Sequence, residues 1–231
     1  MSKVVDLSVE IYHQMPCHRA LVRPIITDLM THEKSAADKL GTPDDRFTSA
    51  IEFLSMITHT GTHVDSYFHF GPKGETIENM PLEMFFGKAV CLDLTHIPDL
   101  GDIDVADLEA AERTSGVKIG GHIVLLNTGL HARHFPTDES MTTNPGLTAA
   151  ATHWLADHGS RLHGVEGPST DRPNFTEFPS HRVCRDRGIT HIEWLCNLEQ
   201  LVRAGEFQFF AVPLKIRSGS GSPVRAFAIL D

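Results

Sequence analysis

The chain has 231 residues, of which 41% are hydrophobic and 22% charged, a composition typical of a globular protein with a full apolar core. Its formal net charge of −10 argues against a nucleic-acid partner, because an acidic surface repels phosphates. No segment has the apolar length of a membrane span and the N-terminus lacks a signal-peptide pattern, so we expect a cytoplasmic protein without a membrane partner.

The N-terminal part combines a strand with a long arm. Residues 5–11 alternate apolar and polar side chains, which predicts a strand with one buried face. Residues 12–45 lose this pattern and contain several prolines, so we interpret them as an N-terminal arm with a short helix near residues 33–40. The apolar residues 51–58 predict a further strand that leads into the next segment.

The remainder of the chain mixes strands and helices without strict alternation. Apolar runs predict strands at residues 89–94, 123–126, 161–165, 189–195, 207–214 and 224–230. Caps, prolines and closing glycines predict helices at residues 105–114, 147–158 and 179–187. The linker at 217–223 lies between two strands and is predicted to be an ordered turn. The pattern predicts one α/β domain over residues 1–231 with a mixed, curved sheet.

The strongest functional signal is segment 59–69, which reads His-Thr-Gly-Thr-His-Val-Asp-Ser-Tyr-Phe-His. It brings His59, His63, Asp65 and His69 within eleven residues, whereas single histidines carry little information in a chain that has fifteen. The glycine between two threonines disfavours a helix, so we interpret the segment as a turn. A turn can direct two imidazoles and a carboxylate at one divalent cation and leave coordination positions open for water.

His59, His63 and Asp65 are therefore predicted to be metal ligands. His69 is predicted to be the general base beside a metal-activated water. The alternatives are a surface loop that binds no metal and, for His69 alone, a histidine behind the ligands or in solvent. Imidazole and carboxylate suit Zn, Mn, Fe and Co alike, so the side chains do not identify the metal. A closed structural zinc site is disfavoured because the segment lacks cysteine.

His181 and Glu193 are weaker candidates for the same site. His181 lies on the helix predicted at 179–187, and Glu193 is an acid within an apolar strand, where carboxylates are rare unless they are paired or bind a metal. A glutamate that faces solvent explains the pattern equally well. We predict that both lie at the metal site, either as ligands or in contact with the ligands.

Segment 59–69 resembles the signature of the cyclase superfamily of metal-dependent hydrolases, His-x-Gly-Thr-His-x-Asp-x-Pro-x-His, whose members include bacterial kynurenine formamidase and isatin hydrolase. Family members also carry a His and a Glu twelve residues apart late in the chain, which His181 and Glu193 match. Residues 211–216 and 221–225 resemble the closing strands of the family. The resemblance covers most of the chain from about residue 51.

The resemblance implies a swivelling β/β/α fold and a role for each matching residue. The first two histidines and the aspartate of the signature bind the metal, and its third histidine is the catalytic base. The late His and Glu complete a two-metal site in the formamidases, whereas isatin-hydrolase-like members have one metal, with manganese rather than zinc. Family members form dimers or higher oligomers with N-terminal segments across the interface, so we expect a homodimer or homotetramer that holds Mn or Zn.

Two departures from the family bear on the substrate. Tyr67 stands where the signature has proline, and a tryptophan-containing run near the N-terminus of the formamidases is replaced here by Tyr-His-Gln-Met-Pro at residues 12–16. With a pocket wall from Tyr67, Phe68 and Phe70, we expect hydrolysis of the C–N bond in a small amide such as isatin or a lactam. The alternatives are a kynurenine formamidase, which hydrolyses N-formylkynurenine, and a metal-dependent binding protein without turnover.

Overall fold

The structure is a computed structural model that describes residues 2–18, 21–37, 48–174 and 176–230. Its strands are β1 (Lys3–Asp6), β2 (Ile25–Met30), β3 (Ile51–Ser55), β4 (His63–Asp65), β5 (Phe86–Asp93), β6 (Asp102–Ile103), β7 (Ile123–Asn127), β8 (Gly146–Leu147), β9 (Leu162–Val165), β10 (Thr190–Glu193), β11 (Phe207–Phe210), β12 (Gly221–Pro223) and β13 (Phe227–Leu230). Its helices are α1 (His32–Ala37), α2 (Tyr67–Phe70), α3 (Val105–Ser115), α4 (Leu130–His134), α5 (Ala149–Asp157) and α6 (Pro179–Arg187).

The chain forms two compact units, one of residues 11–57 and one of residues 1–10 together with 58–231. In the smaller unit β2 and β3 form an antiparallel two-stranded sheet, and α1 follows β2. The unit contains the predicted arm and extends beyond it, because the strand predicted at 51–58 pairs with β2. The end of the helix predicted at 33–40 lies outside the described residues.

The larger unit contains a curled, mixed sheet of nine strands in the order β1-β13-β11-β5-β7-β9-β10-β4-β12 among the described residues. The four central strands β5, β7, β9 and β10 run parallel, and the strands on either side of them pair antiparallel. The mixed α/β architecture predicted from the sequence is thus confirmed. The strand predicted at 207–214 ends earlier, at Phe210, and the predicted turn at 217–223 contains β12.

Both faces are buried from Ala89 to Leu92 of β5 and from Ile123 to Leu126 of β7, which explains the continuous apolar runs of these two strands. On β7, Leu125 belongs to one apolar core and its neighbour Leu126 to another. Successive side chains of a strand point to opposite faces, so the sheet separates the two cores. The core that contains Leu125 also contains Val64 of β4 and Ile192 of β10, the two strands that carry the predicted site residues.

Local capping chemistry sets the helix ends. Asp104 accepts a hydrogen bond from the backbone of α3 and forms a reciprocal capping box with Asp107. Gly116 ends the helix with φ of 72°, a conformation that glycine adopts without a Cβ clash. The predicted bounds of α6 and its glycine stop at Gly188 match the structure.

No helix among the described residues is long and apolar enough to cross a bilayer.

Leu125→Ala is expected to lower the free energy of unfolding by about 2–5 kcal/mol, because it leaves a cavity at a site where the side chain is 0% exposed. Urea denaturation measures the change. The matched control is Leu82→Ala, at a side chain that is 58% exposed, where the expected change is within about 0.5 kcal/mol. Equal losses in the two variants would contradict the assignment of Leu125 to the core.

Candidate metal centre

The segment predicted as a turn contains three structures in succession. A turn carries His59, the short strand β4 carries His63 and Asp65, and the one-turn helix α2 carries His69. His63 and Asp65 are two residues apart on a strand, so their side chains point to the same face of the sheet. β4 lies between β10 and β12, and the register of β10 places Glu193 opposite His63.

The three side chains predicted as metal ligands, His59, His63 and Asp65, are here called the first cluster. His59 Nδ1 lies 2.8 Å and His63 Nε2 lies 3.6 Å from Asp65 Oδ1. His63 Nε2 and Asp65 Oδ1 are buried, and within the described residues their polar contacts, including the 3.2 Å approach of Glu193 Oε2 to His63 Nε2, lack regular hydrogen-bond geometry. Buried polar atoms without a partner are costly, and a cation between this nitrogen and this oxygen would satisfy both. Two imidazoles and a carboxylate are donors that suit a divalent metal, and among the described residues the ligand atoms of His59 and Asp65 lie within 4.8 Å of one another together with that of His69 rather than that of His63.

In His59, His63 and His181, the ring nitrogen other than the one near Asp65 is held by a neighbouring oxygen. His63 Nδ1 donates to the carbonyl oxygen of Gly61 at 2.8 Å, and His59 Nε2 lies 3.0 Å from Ser220 Oγ. His181 Nδ1 lies 2.5 Å from Asp171 Oδ2. Histidines that bind metals usually have this arrangement, in which one ring nitrogen is fixed by a hydrogen bond and the other faces the metal.

A second group of side chains surrounds the other oxygen of the same carboxylate. Asp65, His181, His191 and Glu193, here called the second cluster, each offer one ligand atom, and these atoms lie within 4.8 Å of one another. The structure thus brings His181 and Glu193 to Asp65, with His181 Nε2 3.9 Å from Asp65 Oδ2. His191 did not emerge from the sequence, although its position two residues before Glu193 on a strand directs it to the same face.

The pKa shifts show how Asp65 and Glu193 stay ionised in the protein interior. Burial raises the pKa of Asp65, but the adjacent imidazoles of His191 and His59 outweigh burial and hold that pKa well below its ordinary value. Glu193 behaves in the same way, with its pKa lowered to about 2 because His191 and His63 outweigh the effect of burial. Both carboxylates are therefore ionised at neutral pH and attract cations.

His69 differs from the other histidines around Asp65 in its exposure. Its side chain is 37% exposed, and its Nε2 lies 3.6 Å from Asp65 Oδ2. Burial lowers the pKa of His69, and the opposing effect of Asp65 is smaller, so the imidazole is neutral at pH 7. A neutral imidazole can accept a proton. The ligand atoms of His59, Asp65 and His69 also lie within 4.8 Å of one another, which places His69 within reach of a metal bound at the first cluster.

A cavity of about 300 Å³ opens beside His69 and is lined by His69, Phe70, Glu177, Phe178, His181, Arg182 and Arg185. Of the residues predicted to form the pocket wall, Phe70 lines this cavity, whereas Tyr67 and Phe68 are not among its lining residues. The Tyr67 hydroxyl instead donates to the carbonyl oxygen of Gly188 at 2.7 Å, at the end of α6. Tyr67, which replaces the proline of the signature, thus ties α2 to the helix that carries His181.

Comparison with known proteins decides the family. The family described as "Putative cyclase" matches residues 5–172, which is more than half of the chain. The chain belongs to this cyclase family. The match contains segment 59–69, so the family resemblance of that segment is confirmed.

The cyclase-family chain is similar to two kynurenine formamidases over most of their length. It is 31% identical to the enzyme of Salinibacter ruber (strain DSM 13855 / M31) over 184 residues, which cover 79% of this chain and 81% of the relative. It is 31% identical to the enzyme of Bacillus mycoides (strain KBAB4) over 175 residues, which cover 75% of this chain and 77% of the relative.

Solved structures share the fold of this cyclase-family protein. Isatin hydrolase A from Labrenzia aggregata, bound to benzyl benzoate, aligns with a TM-score of 0.82 at 24% identity over 99% of this chain and 94% of its own. Isatin hydrolase A from Ralstonia solanacearum aligns with a TM-score of 0.82 at 25% identity over 100% of this chain and 92% of its own. The cyclase fold predicted from the signature is confirmed.

Proposed function

We propose that this protein is a metal-dependent hydrolase that cleaves the C–N bond of a small amide. The observation that carries the proposal is the buried convergence of two imidazoles on one carboxylate oxygen, with His59 Nδ1 2.8 Å and His63 Nε2 3.6 Å from Asp65 Oδ1. The first cluster would hold the cation, and His69 would remain the general base. The similarity to kynurenine formamidases and to isatin hydrolases supports amide hydrolysis as the reaction class.

The protein's own residues have distinct tasks in this proposal. A divalent cation at the first cluster would lower the pKa of a coordinated water and stabilise negative charge on the carbonyl oxygen of the substrate. His69 faces both Asp65 and the cavity, so it can accept a proton from the attacking water and return it to the leaving nitrogen. A protein that only binds a ligand has no use for this additional imidazole, which disfavours the alternative without turnover.

The proposal also covers the identity of the metal and the oligomeric state. Two imidazoles and a carboxylate suit Mn and Zn, and these are the two cations we propose. We further propose a homodimer or homotetramer, as expected from the family. Elemental analysis of the purified protein and its molar mass by light scattering measure these two properties.

The preferred substrate is proposed to be a cyclic amide such as isatin or a lactam. Phe70 and Phe178 give the cavity apolar walls that suit a small neutral ring. Kynurenine formamidase activity is the second candidate, and Glu177, Arg182 and Arg185 at the same cavity favour it. Arginine is the usual partner of a substrate carboxylate, and a glutamate can face an ammonium group.

A side-by-side assay of isatin and N-formylkynurenine, with manganese-loaded and zinc-loaded enzyme, tests the substrate. The expected result is a higher kcat/KM for isatin. The matched variants are Arg182→Leu and Arg185→Leu, which should leave isatin hydrolysis unchanged because a neutral substrate needs no cationic partner. A clear preference for N-formylkynurenine that either variant abolishes would establish the second candidate instead.

A further inference from the structure

The helix α2 carries His69 to the cavity, but it has few contacts of its own that could fix its position. It is a single turn of four residues, none of which is fully buried, and its N-cap residue Ser66 makes no side-chain capping bond. Phe68 N donates to the carbonyl oxygen of Glu75 at 2.9 Å, a bond that stays within α2 and the loop that follows it. A single helical turn is unstable in isolation, so the position of α2 depends on its attachment to the rest of the protein.

Tyr67 supplies such an attachment at the first residue of α2. Its hydroxyl donates to the carbonyl oxygen of Gly188 at 2.7 Å, and its ring packs against the apolar core that contains Val64 and Ile192. Gly188 is the C-cap of α6, where backbone carbonyl oxygens have no partner within the helix. The hydroxyl of Tyr67 therefore joins the start of α2 to the end of α6.

A second bond joins the same two parts of the chain in the opposite direction. Thr190 Oγ1 donates to the backbone carbonyl oxygen of Asp65 at 2.6 Å, and both residues are buried. Segments 65–67 and 188–190 are thus joined by two hydrogen bonds, and each segment contributes one side-chain donor. The backbone of Asp65 is held by the second bond, and α2 is held by the first.

The position of His69 follows from the attachment of α2. Its side chain is 37% exposed, it lines the cavity, and its Nε2 lies 3.6 Å from Asp65 Oδ2. His69 follows Tyr67 by two residues in the same helical turn, so a shift of α2 away from α6 moves the imidazole relative to Asp65. A general base must lie within hydrogen-bond reach of the proton that it accepts, and a misplacement of about 1 Å can cost 10²-fold in rate.

We propose that Tyr67 is a positioning residue that holds His69 in place for proton transfer through the hydrogen bond from its hydroxyl to Gly188. The inference rests on the proposed function, in which His69 is the general base. Tyr67 has no direct contact with the substrate in this role, in agreement with its position outside the residues that line the cavity.

A double-mutant cycle on the hydrolysis of isatin and of N-formylkynurenine tests the inference. In Tyr67→Phe the ring remains and only the hydroxyl is lost, so kcat is expected to fall by roughly 10–100-fold while elemental analysis finds the metal content of the wild type. In the His69→Ala background the same substitution should leave the residual rate unchanged, because the group that the hydroxyl positions is already absent. A merely structural role would lower the rate by the same factor in both backgrounds.

Hydrogen exchange measures the attachment of α2 independently of activity. The backbone amides of residues 68–71 should exchange faster in Tyr67→Phe than in the wild type, because local opening of α2 becomes easier. The matched control is Ser160→Ala, which removes a hydroxyl that donates to the backbone carbonyl oxygen of Leu162 at 3.0 Å. This variant loses the same kind of hydrogen bond, and it should keep the kcat and the α2 exchange rates of the wild type.

Each of the remaining outcomes contradicts the inference. Equal losses of rate in the two backgrounds would mean that the hydroxyl acts independently of His69. A wild-type kcat in Tyr67→Phe would overturn the inference and leave the proposed function intact, whereas a wild-type protein without amidase activity would overturn both. If thermal denaturation shows that Tyr67→Phe is unfolded, the hydroxyl has a general role in stability and not one confined to His69.

Discussion

His63→Ala is expected to remove the metal and the hydrolytic activity together. His63 is 3% exposed, and its Nε2 lies between Asp65 Oδ1 at 3.6 Å and Glu193 Oε2 at 3.2 Å. Alanine leaves two ionised carboxylates with one fewer nitrogen beside them, so a cation at the first cluster loses a direct ligand. Elemental analysis and amidase assays of the same preparation measure both effects.

The control for His63→Ala is His96→Ala, at a histidine whose side chain is 57% exposed and pairs with Asp107 on the surface. That variant should keep wild-type metal content and activity. Thermal denaturation of both variants shows whether His63→Ala remains folded. A folded His63→Ala protein with stoichiometric metal would disprove the assignment of His63 as a ligand.

His69→Ala is expected to separate metal binding from turnover. Loss of a general acid–base group lowers kcat by roughly 10²–10⁴-fold, while the ligands of the first cluster are untouched and metal content should remain that of the wild type. The limb of the pH–rate profile that reports the base should disappear as well. Steady-state kinetics across pH, with elemental analysis of the same samples, measures these effects.

If the purified His69→Ala protein contains no metal, His69 has a different role from the one proposed. His69 lies within ligand distance of His59 and Asp65, so metal loss would make it a ligand and leave the proton transfer to another group. Phe70→Leu is the matched control, because Phe70 is the next residue on α2 and lines the same cavity without a titratable group. It should keep the pH–rate profile of the wild type even if KM changes.

The sequence predicted those features that depend on neighbouring residues. Asp104 and Gly116 bound α3 through capping and a left-handed backbone, and both effects act within one helical turn. The signature in segment 59–69 is equally local, so the cyclase family could be identified from it. The burial of Glu193 was left open by the sequence, since an acid within an apolar strand can also face solvent, and the structure shows this residue 5% exposed.

Features that depend on strand pairing were beyond the sequence. The serine- and glycine-rich residues 217–223 resemble a turn, yet Gly221–Pro223 become a strand because they pair with β4. This pairing also brings Ser220 to His59. His191 belongs to the second cluster only because β10 lies beside β4, and no local pattern reveals that neighbour. The apolar side chains of β2 are largely exposed, so its sequence does not show the alternation of apolar and polar residues that predicts a half-buried strand.

Metal removal and reconstitution of the wild-type enzyme test the central claim most directly. Purified protein is analysed for metal, treated with a chelator and assayed for amide hydrolysis before and after addition of Mn²⁺ or Zn²⁺. We predict at least one equivalent of a divalent cation per chain, loss of activity with the chelator and recovery when the cation is restored. Full activity in protein that elemental analysis shows to be free of metal would contradict the account.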